Sequence, residues 1–402
     1  MPTRSPWQAE IRPTAELPGV AELPGEADAV VVGAGVAGAA TARALARARP
    51  GLRVVIVEAG ALAAGASGRN AGFLLLGAAG TDAASDDPAE RERAARLWAL
   101  SRENAALVAE LDASDPGVRL ERVGSVVAAG SEEEAARLRA SARRLDEATW
   151  VEPAELHRRL GARGFFGGLV TPEGGALDPV GLVRALVHAS GAALVLHTRA
   201  TALRAEAGGC AVETGRGTIR APRAVVAANA YAPELVPELA GLVRPVRAQM
   251  LATAPVAPFL SAPVYSHDGY YYVRQRRDGR VLVGGARHLF REAEVGYADA
   301  TTPRLQAALE AYLAAHFPAA AGAAVERRWS GTMGFSPDGA PVLADVPGVP
   351  GAVAVAGFSG QGLSLAVRLG ATVAARVLGQ PDAASDLVDI SRLNSSENTA
   401  RG

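Results

Sequence analysis

Three glycines near the start of the chain have the spacing that a phosphate-binding turn requires. Gly33, Gly35 and Gly38 form the pattern G-x-G-x-x-G directly after the apolar run 29–32. The first glycine allows a tight turn, the second lets a pyrophosphate approach the backbone, and the third lets a helix pack closely on a strand. The helix that follows directs its free N–H groups and its dipole at the phosphates. The pattern therefore predicts a dinucleotide site that includes Val36 and Ala37.

A carboxylate stands at the distance from these glycines that a dinucleotide site needs. Glu58 follows a second apolar run, 52–57, and precedes Ala59. At this position a carboxylate accepts hydrogen bonds from ribose hydroxyls and repels a 2′-phosphate. The motif thus favours FAD or NAD over NADP and does not choose between the first two. The alternative interpretation of the glycines is a plain strand–helix turn in an α/β protein.

The composition excludes several kinds of chemistry. The 402-residue chain has a formal net charge of −1, so bulk charge attracts neither nucleic acid nor an anionic membrane. All 41 basic residues are arginine, which removes lysine Schiff-base chemistry. A single cysteine, Cys210, permits no intrachain disulfide, and no metal-ligand spacing stands out. With no signal-peptide pattern and no apolar run of membrane-spanning length, we expect a cytoplasmic protein without a membrane span.

Periodicity and turn signals predict the elements that hold these residues. Asp178 and Pro179 suit the N-cap and first position of a helix, and Asp278 with Gly279 suits a hairpin turn. The predicted helices cover residues 36–49, 91–111, 131–147, 152–160, 180–190, 302–316 and 363–378. The predicted strands cover residues 29–32, 52–57, 120–129, 193–197, 203–219 (a pair), 224–228, 246–253, 270–275, 280–286 and 353–356.

Fully apolar strands occur at the start, middle and end of the chain, and hairpin-like runs fill the gaps between them. This order predicts an α/β (α+β) fold in which a discontinuous Rossmann-like domain carries an inserted, mostly antiparallel β-sheet domain. We expect residues 28–85, 165–235 and 327–385 to form the cofactor domain, and residues 86–164 and 236–326 the substrate domain. Residues 1–27 are expected to form an extended arm and residues 386–402 a tail.

Four groups of residues, taken together, resemble the FAD-dependent amine and amino-acid oxidases, the family of D-amino-acid oxidase, glycine oxidase and sarcosine oxidase. The first group is the opening unit with Glu58. The others are Gly65-Ala66-Ser67-Gly68-Arg69-Asn70-Ala71-Gly72; then Gly175-Ala176-Leu177-Asp178-Pro179 with Ala200-Thr201-Ala202-Leu203 and Ala227-Ala228-Asn229-Ala230; then Trp329-Ser330-Gly331, Pro337-Asp338-Gly339-Ala340-Pro341 and Gly357-Phe358-Ser359-Gly360-Gln361-Gly362. They run from about residue 28 to 393 in the family's order.

The resemblance implies that the dinucleotide is FAD. Its isoalloxazine ring would lie between the loop 69–72 and the glycine-rich segment 357–362, where N–H groups at a helix start would face the flavin C2 carbonyl. A flexible strand–helix turn is the alternative interpretation of that segment. Beyond the opening unit, the implied cofactor residues are Ser67, Gly68, Arg69, Asn70, Ala71, Gly72, Ala202, Ala228, Asn229, Gly331, Gly357, Phe358, Ser359, Gly360, Gln361 and Gly362.

The chain departs from the family pattern at three points. Segment 331–336 lacks the cysteine that attaches flavin in sarcosine-oxidase-type members, so FAD should be bound noncovalently. The lysine that promotes reaction with oxygen in those members is also absent. Glycine-oxidase-like members grip the substrate carboxylate with an arginine two residues after Trp-x-Gly, where this chain has Met333. Either another arginine holds a carboxylate, or the substrate has none at that place.

Arginines that follow the tyrosine run 270–272 are candidates for binding a substrate carboxylate in place of the missing arginine. Arg274 and the pair Arg287-His288 are the candidates, each with a solvated sheet-edge arginine as the alternative. Alternation along a strand predicts that Tyr270 and Tyr272 share one face, either as an aromatic wall over the flavin or as ordinary sheet packing. His267 and His288 could position an amine or be structural.

The resemblance implies oxidation of the C–N bond of a small-molecule amine or amino acid, with hydride transfer to flavin N5 and hydrolysis of the imine. The loop motifs are most similar to the branch that acts on γ-glutamylputrescine and related amines. Oxygen is the expected acceptor, which would yield peroxide. The alternatives are a dehydrogenase that passes electrons to a quinone or protein, and a flavin-binding subunit without turnover. The sequence does not determine the amine, the pathway or the oligomeric state.

Overall fold

The computed structural model describes residues 3–10, 22–77 and 83–393. The α-helices of these residues are α1 (Pro6–Ala9), α2 (Val36–Ala48), α3 (Pro88–Ser114), α4 (Glu132–Ala142), α5 (Pro153–Leu160), α6 (Pro179–Ser190), α7 (Pro303–His316), α8 (Gly362–Leu378) and α9 (Ser385–Val388). The strands are β1 (Ala29–Val32), β2 (Val54–Val57), β3 (Phe73–Leu74), β4 (Ser125–Ala128), β5 (Thr149–Val151), β6 (Gly168–Thr171), β7 (Gly175–Ala176), β8 (Ala193–Val195), β9 (Ala200–Glu206), β10 (Gly209–Thr214), β11 (Gly217–Ala221), β12 (Ala224–Val226), β13 (Arg244–Thr253), β14 (Val264–Ser266), β15 (Tyr271–Gln275), β16 (Val281–Gly285), β17 (Val325–Phe335), β18 (Val342–Asp345) and β19 (Ala352–Ala356).

Strands from distant parts of the chain form one six-stranded sheet, in the order β18-β19-β12-β1-β2-β8. All neighbours are parallel except β18 and β19. The residues of β1, β2, β12 and β19 are buried along their whole length, which is why these strands read as uninterrupted apolar runs. The predicted discontinuous α/β arrangement is confirmed.

Two helices that flank this sheet pack at unusually short distance. A side chain at Gly370 of α8 would lie 2.6 Å from the backbone carbon of Ala40 in α2, so the pair depends on small residues. Helix α3 is fastened to α8 by Asn104, whose amide donates to the Leu363 carbonyl at 2.9 Å and accepts from Val367 N–H at 2.9 Å. These contacts fix the beginning of α8, which borders the site described below.

The second large sheet has eight strands in the order β17-β13-β16-β15-β14-β4-β6-β5. All its neighbours are antiparallel except β14 and β4. Strands β6 and β17 belong to this sheet, although the predicted boundaries place 168–171 and most of 325–335 in the cofactor domain. The domain boundaries themselves stay a prediction. The smaller sheets are β11-β10-β9 and β3-β7.

Most of the predicted elements are confirmed within a few residues. The Asp178 carboxylate accepts from the N–H groups of Val180 and Gly181, with Pro179 at the helix start as predicted. The predicted strand pair 203–219 is wrong in number, because three strands cover 200–221. Strands β3, β5, β6, β7, β14, β17 and β18 were not predicted. No helix among the described residues is long and apolar enough to cross a membrane.

The two ends of the chain differ from expectation where they are described. Residues 3–10 are not an extended arm: they contain α1 and bury Trp7, which is 5% exposed. Most of the repeat at 15–25 lies outside the described residues. At the other end, α9 and a 3₁₀ turn at Ile390–Leu393 are ordered, and the rest of the predicted tail lies outside the described residues.

Candidate cofactor and substrate site

A cavity of about 480 Å³ extends from the carboxyl ends of β1, β2 and β12 to the eight-stranded sheet. In open α/β sheets this edge is where ligands bind, because helix starts and loops converge there. The cavity has two ends of different construction, which we call the nucleotide end and the sheet end. Gly33 and residues 35–37 and 58–60 line the nucleotide end, and residues from β13 to β17 line the sheet end.

At the nucleotide end the glycines are required by close backbone contacts. A Cβ at Gly33 would lie 2.7 Å from the Ala227 carbonyl oxygen, and one at Gly35 would lie 2.9 Å from Ser67 Oγ. A Cβ at Gly38 would overlap the Gly33 carbonyl oxygen, which is why α2 can approach β1. Gly33, Gly35, Val36 and Ala37 line the cavity at the start of α2, and Gly38 lies behind them.

The Glu58 carboxylate lies at the same end, beside Ala59 in the cavity lining. It accepts hydrogen bonds from Ala34 N–H at 2.8 Å and Gly60 N–H at 2.7 Å. Two carboxylate oxygens offer about four acceptor positions, so capacity remains for hydroxyl donors of a ligand. Glu58 therefore both organises the glycine turn and presents an acceptor to the cavity.

In the loop predicted to pass along the flavin, some residues line the cavity and others pack against neighbouring backbone. Ser67, Arg69, Asn70 and Ala71 line the cavity. Ser67 Oγ also accepts from Val36 N–H at 2.9 Å, which joins the loop to the start of α2. Gly68 and Gly72 do not line the cavity: side chains there would overlap the carbonyl oxygens of Ala63 and Leu177.

The glycine-rich segment before α8 forms the opposite wall. Its lining residues are Phe358, Ser359, Gly360, Gln361 and Gly362, together with Ala228 and Asn229 from the end of β12. The Asn229 side-chain oxygen accepts from the N–H groups of Gly357 and Phe358 at 3.0 and 3.3 Å. The first N–H groups of α8 have no partner within the helix and are available to a ligand.

Two residues of the predicted cofactor set lie outside this wall. Gly357 has φ +70° and faces Ser336 rather than the cavity. Ala202 is also not part of the lining, which ends at Ala200 along β9. By Ala202 the chain already pairs with Glu213 in the three-stranded sheet. The expected role of Ala202 at the cofactor is therefore not supported by its position.

Strand alternation places one face of β17 against the cavity. Gly331, Met333 and Phe335 share that face and line the sheet end, and the indole of Trp329 on the same face donates to the Arg69 carbonyl at 2.8 Å. A side chain at Gly331 would lie 3.0 Å from the Cβ of Arg69. Glycine at this position thus lets the loop that contains Arg69 approach the strand.

Two tyrosines from the β14–β15 hairpin form a wall of the sheet end. The rings of Tyr265 and Tyr272 are stacked, with centroids 5.6 Å apart and planes at 20°. Burial raises the pKa of both phenols above the ordinary value. Neither hydroxyl forms a hydrogen bond with the described residues. Both are therefore neutral groups that can donate to or accept from a ligand.

Arg287 brings a positive charge to this end. Its guanidinium carbon lies 4.8 Å from the ring centroids of both Tyr270 and Phe335, and the residue lines the cavity. Within the part of the chain that the structure describes, no hydrogen bond or ion pair joins Arg287 to another residue. A guanidinium held between two aromatic rings, with its donors unused, is suited to an anionic ligand.

Three predicted catalytic residues do not line the cavity. The Arg274 guanidinium is buried and donates to the carbonyl oxygens of Ala71, Gly72 and Leu177 and to Glu121, at 2.9–3.2 Å. Burial lowers the pKa of Arg274 to about 10. It cannot bind a substrate carboxylate in this position, and we correct that expectation.

Tyr270 and His288 also differ from expectation. The strand begins at Tyr271, and the turn before it, in which Tyr270 N–H donates to the His267 carbonyl, ends the alternation. The Tyr270 ring therefore does not lie beside Tyr272 but packs against His288, with centroids 4.6 Å apart and planes tilted by 39°. His288 packs edge-on to Tyr271 as well, away from the cavity.

Sequence reasoning missed several lining residues. Tyr265 lies on a strand that was not predicted, although the dipeptide Asp268-Gly269 between two apolar runs is a hairpin signal. Six further lining residues that were not predicted share no local motif: Arg199, Tyr231, Glu234, Ala248, Thr332 and Phe335. Among the described residues, no three His, Cys, Asp or Glu side chains are grouped to hold a metal ion.

Comparison with known proteins agrees with this geometry. The FAD dependent oxidoreductase family matches residues 28–376. The glycine oxidase of Geobacillus kaustophilus is 30% identical over 363 residues, which cover 86% of this chain and 92% of the relative. A probable oxidoreductase OrdL of Rhizobium meliloti is 28% identical and covers 88% of this chain and 84% of its own.

Solved structures show the same fold. A crystal structure of glycine oxidase from Geobacillus kaustophilus has a TM-score of 0.75 at 26% identity, and covers 91% of this chain and 98% of its own. A crystal structure of L-proline dehydrogenase from P. horikoshii has a TM-score of 0.77 at 20% identity, and covers 92% of this chain and 99% of its own. The chain belongs to the FAD-dependent oxidoreductase family of amine and amino-acid oxidases.

FAD is the cofactor of this family, and the residues of the cavity fit it. The glycine turn at 33–38 borders the cavity at the start of α2, where free backbone N–H groups and the helix dipole suit phosphates. The carboxylate of Glu58 and the N–H groups at the start of α8 face the same cavity. The protein acts on amino compounds as an FAD-dependent oxidoreductase.

Proposed function

We propose that the protein oxidises the carbon–nitrogen bond of a small amino compound that carries a carboxylate, and that Arg287 binds that carboxylate. The observation that carries the proposal is the guanidinium of Arg287, which has no hydrogen bond or ion pair with the described residues and reaches the sheet end of the cavity. Arg287 is half-buried, and its N–H donors have no protein acceptor among the described residues, so a site of this kind favours an anionic ligand.

Arg287 offers the bidentate donor geometry that recognises a carboxylate. Met333 occupies the position from which the corresponding arginine of glycine-oxidase-like proteins would act, and its thioether adds apolar surface instead. We infer that the arginine has a substitute on the neighbouring 3₁₀ turn Arg287–Phe290, which follows β16. The substrate would then enter the site with its carboxylate toward that turn.

The other sheet-end residues orient the reacting carbon and exclude water. Tyr265 and Tyr272 supply a flat aromatic wall, and Met333 and Phe335 supply apolar surface across the cavity. Their burial keeps both phenols neutral, so neither tyrosine acts as a strong base. The reaction then requires the substrate amine in its neutral form, with the C–H bond directed at the cofactor.

FAD, when bound, supplies the acceptor for a hydride, that is, a proton with two electrons. Loss of hydride from the carbon and donation of the nitrogen lone pair leave a protonated imine, which water converts to a carbonyl compound and ammonia, or to a carbonyl compound and an amine when the nitrogen is alkylated. Oxygen is the proposed final acceptor, taking two electrons and two protons to give hydrogen peroxide. The absence of lysine from the whole chain favours a second candidate, a dehydrogenase that transfers electrons to a quinone or protein.

The cofactor residues are proposed as follows. Gly33, Gly35, Val36 and Ala37 would bind the pyrophosphate, and Glu58 with Ala59 the ribose. The flavin ring would lie between the loop residues and the segment before α8. The residues proposed for that ring are Ser67, Arg69, Asn70, Ala71, Ala228, Asn229, Gly331, Phe358, Ser359, Gly360, Gln361 and Gly362. Gly38, Gly68, Gly72 and Gly357 would act through the backbone geometry that they permit. Binding without a covalent bond is expected, since segment 331–336 has no cysteine.

The test is an anaerobic screen of flavin bleaching. Purified holoenzyme is mixed with primary amines, N-methyl amines, D- and L-amino acids, and the carboxamide of each amino acid. We expect bleaching by one class of amino acid and much slower bleaching by its carboxamide. Rapid recolouring in air with one equivalent of peroxide supports an oxidase, and slow recolouring supports the dehydrogenase. Bleaching by no compound in the panel would contradict the proposed function.

A further inference from the structure

Residues 3–10 hold the flavin-facing loop in place from outside the cavity. We call residues 3–10 the N-terminal clip and residues 63–72 the flavin-facing loop. The clip contains α1, capped by Ser5, whose hydroxyl accepts from Gln8 N–H while the Gln8 side chain accepts from Ser5 N–H. The Trp7 side chain at its centre is 5% exposed. The clip is therefore built into the fold.

Three clip side chains donate to backbone carbonyls of the loop. Ser5 Oγ donates to Gly68 at 2.5 Å, and the Trp7 indole donates to Asn70 at 2.9 Å. The Gln8 amide donates to Ala63 and Ala64 at 3.2 and 3.1 Å. Each of these contacts joins residues that are more than fifty positions apart. The clip thus binds the loop through its backbone and is insensitive to most loop side chains.

Other donors complete a continuous series of restrained carbonyls. The Arg69 carbonyl accepts from Trp329, and the carbonyls of Ala71 and Gly72 accept from Arg274. From Gly68 to Gly72, every carbonyl of the loop is consequently held by a side chain from the clip or from the eight-stranded sheet. This explains why Arg274 is buried beneath the loop rather than exposed in the cavity.

The direction of these carbonyls determines the direction of the loop amides. In a planar trans peptide the C=O of one residue and the N–H of the next point in opposite directions. When Trp7 and Trp329 hold the carbonyls of Asn70 and Arg69 away from the cavity, the N–H groups of Ala71 and Asn70 are turned toward it. Neither N–H forms a hydrogen bond with the described residues, and both residues line the cavity.

We propose that the N-terminal clip is a positioning element of the flavin site, which orients the amides of Asn70 and Ala71 toward the cofactor. Its far end is anchored to the eight-stranded sheet: Glu10 pairs with Arg276 through two contacts of 2.8–2.9 Å, and the Arg276 guanidinium lies 4.6 Å from the Trp7 ring centroid. Amides aimed at the flavin stabilise the negative charge of the reduced ring. The clip then affects both FAD retention and reduction potential.

Trp7→Phe tests the inference, because it removes the indole N–H and keeps the ring under Arg276. Trp150→Phe is a matched control: Trp150 also donates its indole N–H to one acceptor, Glu152 at 2.8 Å, and also stacks with an arginine, but its acceptor is not part of the flavin-facing loop. The holoenzymes are compared in their rate of FAD release on dilution, their flavin reduction potential and their thermal unfolding by circular dichroism.

We expect Trp7→Phe to release FAD about five-fold faster, the factor of one net hydrogen bond, and to lower the reduction potential. Trp150→Phe should leave both flavin properties unchanged. Glu10→Gln, which loosens the clip without touching the loop, should change them in the same direction and by less. A lower unfolding temperature of Trp7→Phe with wild-type FAD release and potential would overturn the inference, as would equal flavin properties for all the variants.

Discussion

The nucleotide end and the sheet end of the cavity recognise their ligands by different means. At the nucleotide end the backbone is the recognition surface, and Gly33, Gly35 and Gly38 are required because a Cβ would meet another backbone atom or Ser67. At the sheet end the surface consists of side chains, Tyr265, Tyr272, Arg287 and Met333 among them. The first kind of site tolerates almost no change, whereas the second can change its ligand by exchanging single residues.

Gly38→Ala should have the largest effect and would test the rigidity of the nucleotide end. The new Cβ would overlap the Gly33 carbonyl oxygen, so α2 must move away from β1. We expect a loss of about 3 kcal/mol in holoenzyme stability and purification largely without flavin, measured by the ratio of 450 to 280 nm absorbance. Gly241→Ala, with no atom within 4 Å, is the control. A fully yellow Gly38→Ala protein would refute this account of the turn.

Asn229→Ala should have the next largest effect, because Asn229 supports the segment before α8 from the end of β12. The variant leaves the N–H groups of Gly357 and Phe358 without their acceptor, and places alanine at φ +47°. We expect about 2 kcal/mol of destabilisation in urea unfolding and faster FAD release. Asn229→Asp keeps an acceptor and tolerates this φ, so it should recover most of the loss. An equal loss of stability in both variants would contradict the proposal that the Asn229 side-chain oxygen supports the segment before α8.

Tyr272→Phe examines the sheet end, where smaller effects are expected from side-chain changes. The ring wall remains and only the hydroxyl is lost, so substrate should bind about five-fold more weakly with little change in the rate of flavin reduction. Stopped-flow reduction at varied substrate concentration separates the two quantities. Tyr270→Phe, outside the cavity, should resemble the wild type. Weaker substrate binding in Tyr270→Phe than in Tyr272→Phe would show that Tyr270, and not Tyr272, contacts the substrate.

His267→Asn should have the smallest effect, and it concerns the packing behind the sheet end. Burial, followed by the charges of His316 and His288, lowers the pKa of His267 below its ordinary value of 6.5. The folded state therefore binds this proton more weakly than the unfolded chain, and stability should fall as the pH drops below about 6.5. Asparagine tolerates the φ of +54° at this position.

The free energy of unfolding in urea is measured at pH 5, 6 and 7. Glu134, which has a raised pKa from burial, is present in both proteins, so its contribution cancels in the comparison. We expect the variant to lose less stability than the wild type between pH 7 and pH 5. Parallel losses in the two proteins would show that His267 does not contribute to the acid sensitivity.

The nucleotide end of the cavity was easier to predict from the sequence than the sheet end. The glycine turn, Glu58 and the segment before α8 were identified because their chemistry is local, and because few other residues satisfy those backbone constraints. Strands β1, β2, β12 and β19 were found since burial on both faces leaves a continuous apolar run. Their assembly into one sheet followed from their order along the chain.

The substrate side was less predictable because side-chain direction depends on register and turns. Arg274 and Arg287 appeared equivalent in the sequence, but one supports the flavin-facing loop and the other reaches the cavity. Tyr270 lost its place beside Tyr272 because the strand begins one residue later. Strand β17 was not predicted, since its first half carries the charged residues 326–328. The role of residues 3–10 depends entirely on contacts with distant backbone.

Comparison of Arg287→Gln with Arg291→Gln tests most directly whether Arg287 binds the substrate carboxylate. Arg291 lies 5.8 Å from the Tyr270 ring centroid but does not line the cavity. The measurement is anaerobic flavin reduction by an amino acid that bleaches the wild type and by its carboxamide. Arg287→Gln should weaken binding of the carboxylate about 100-fold and leave the carboxamide nearly unchanged, and Arg291→Gln should behave as the wild type. Equal preference for the carboxylate in all three proteins would contradict the proposal that Arg287 selects the substrate.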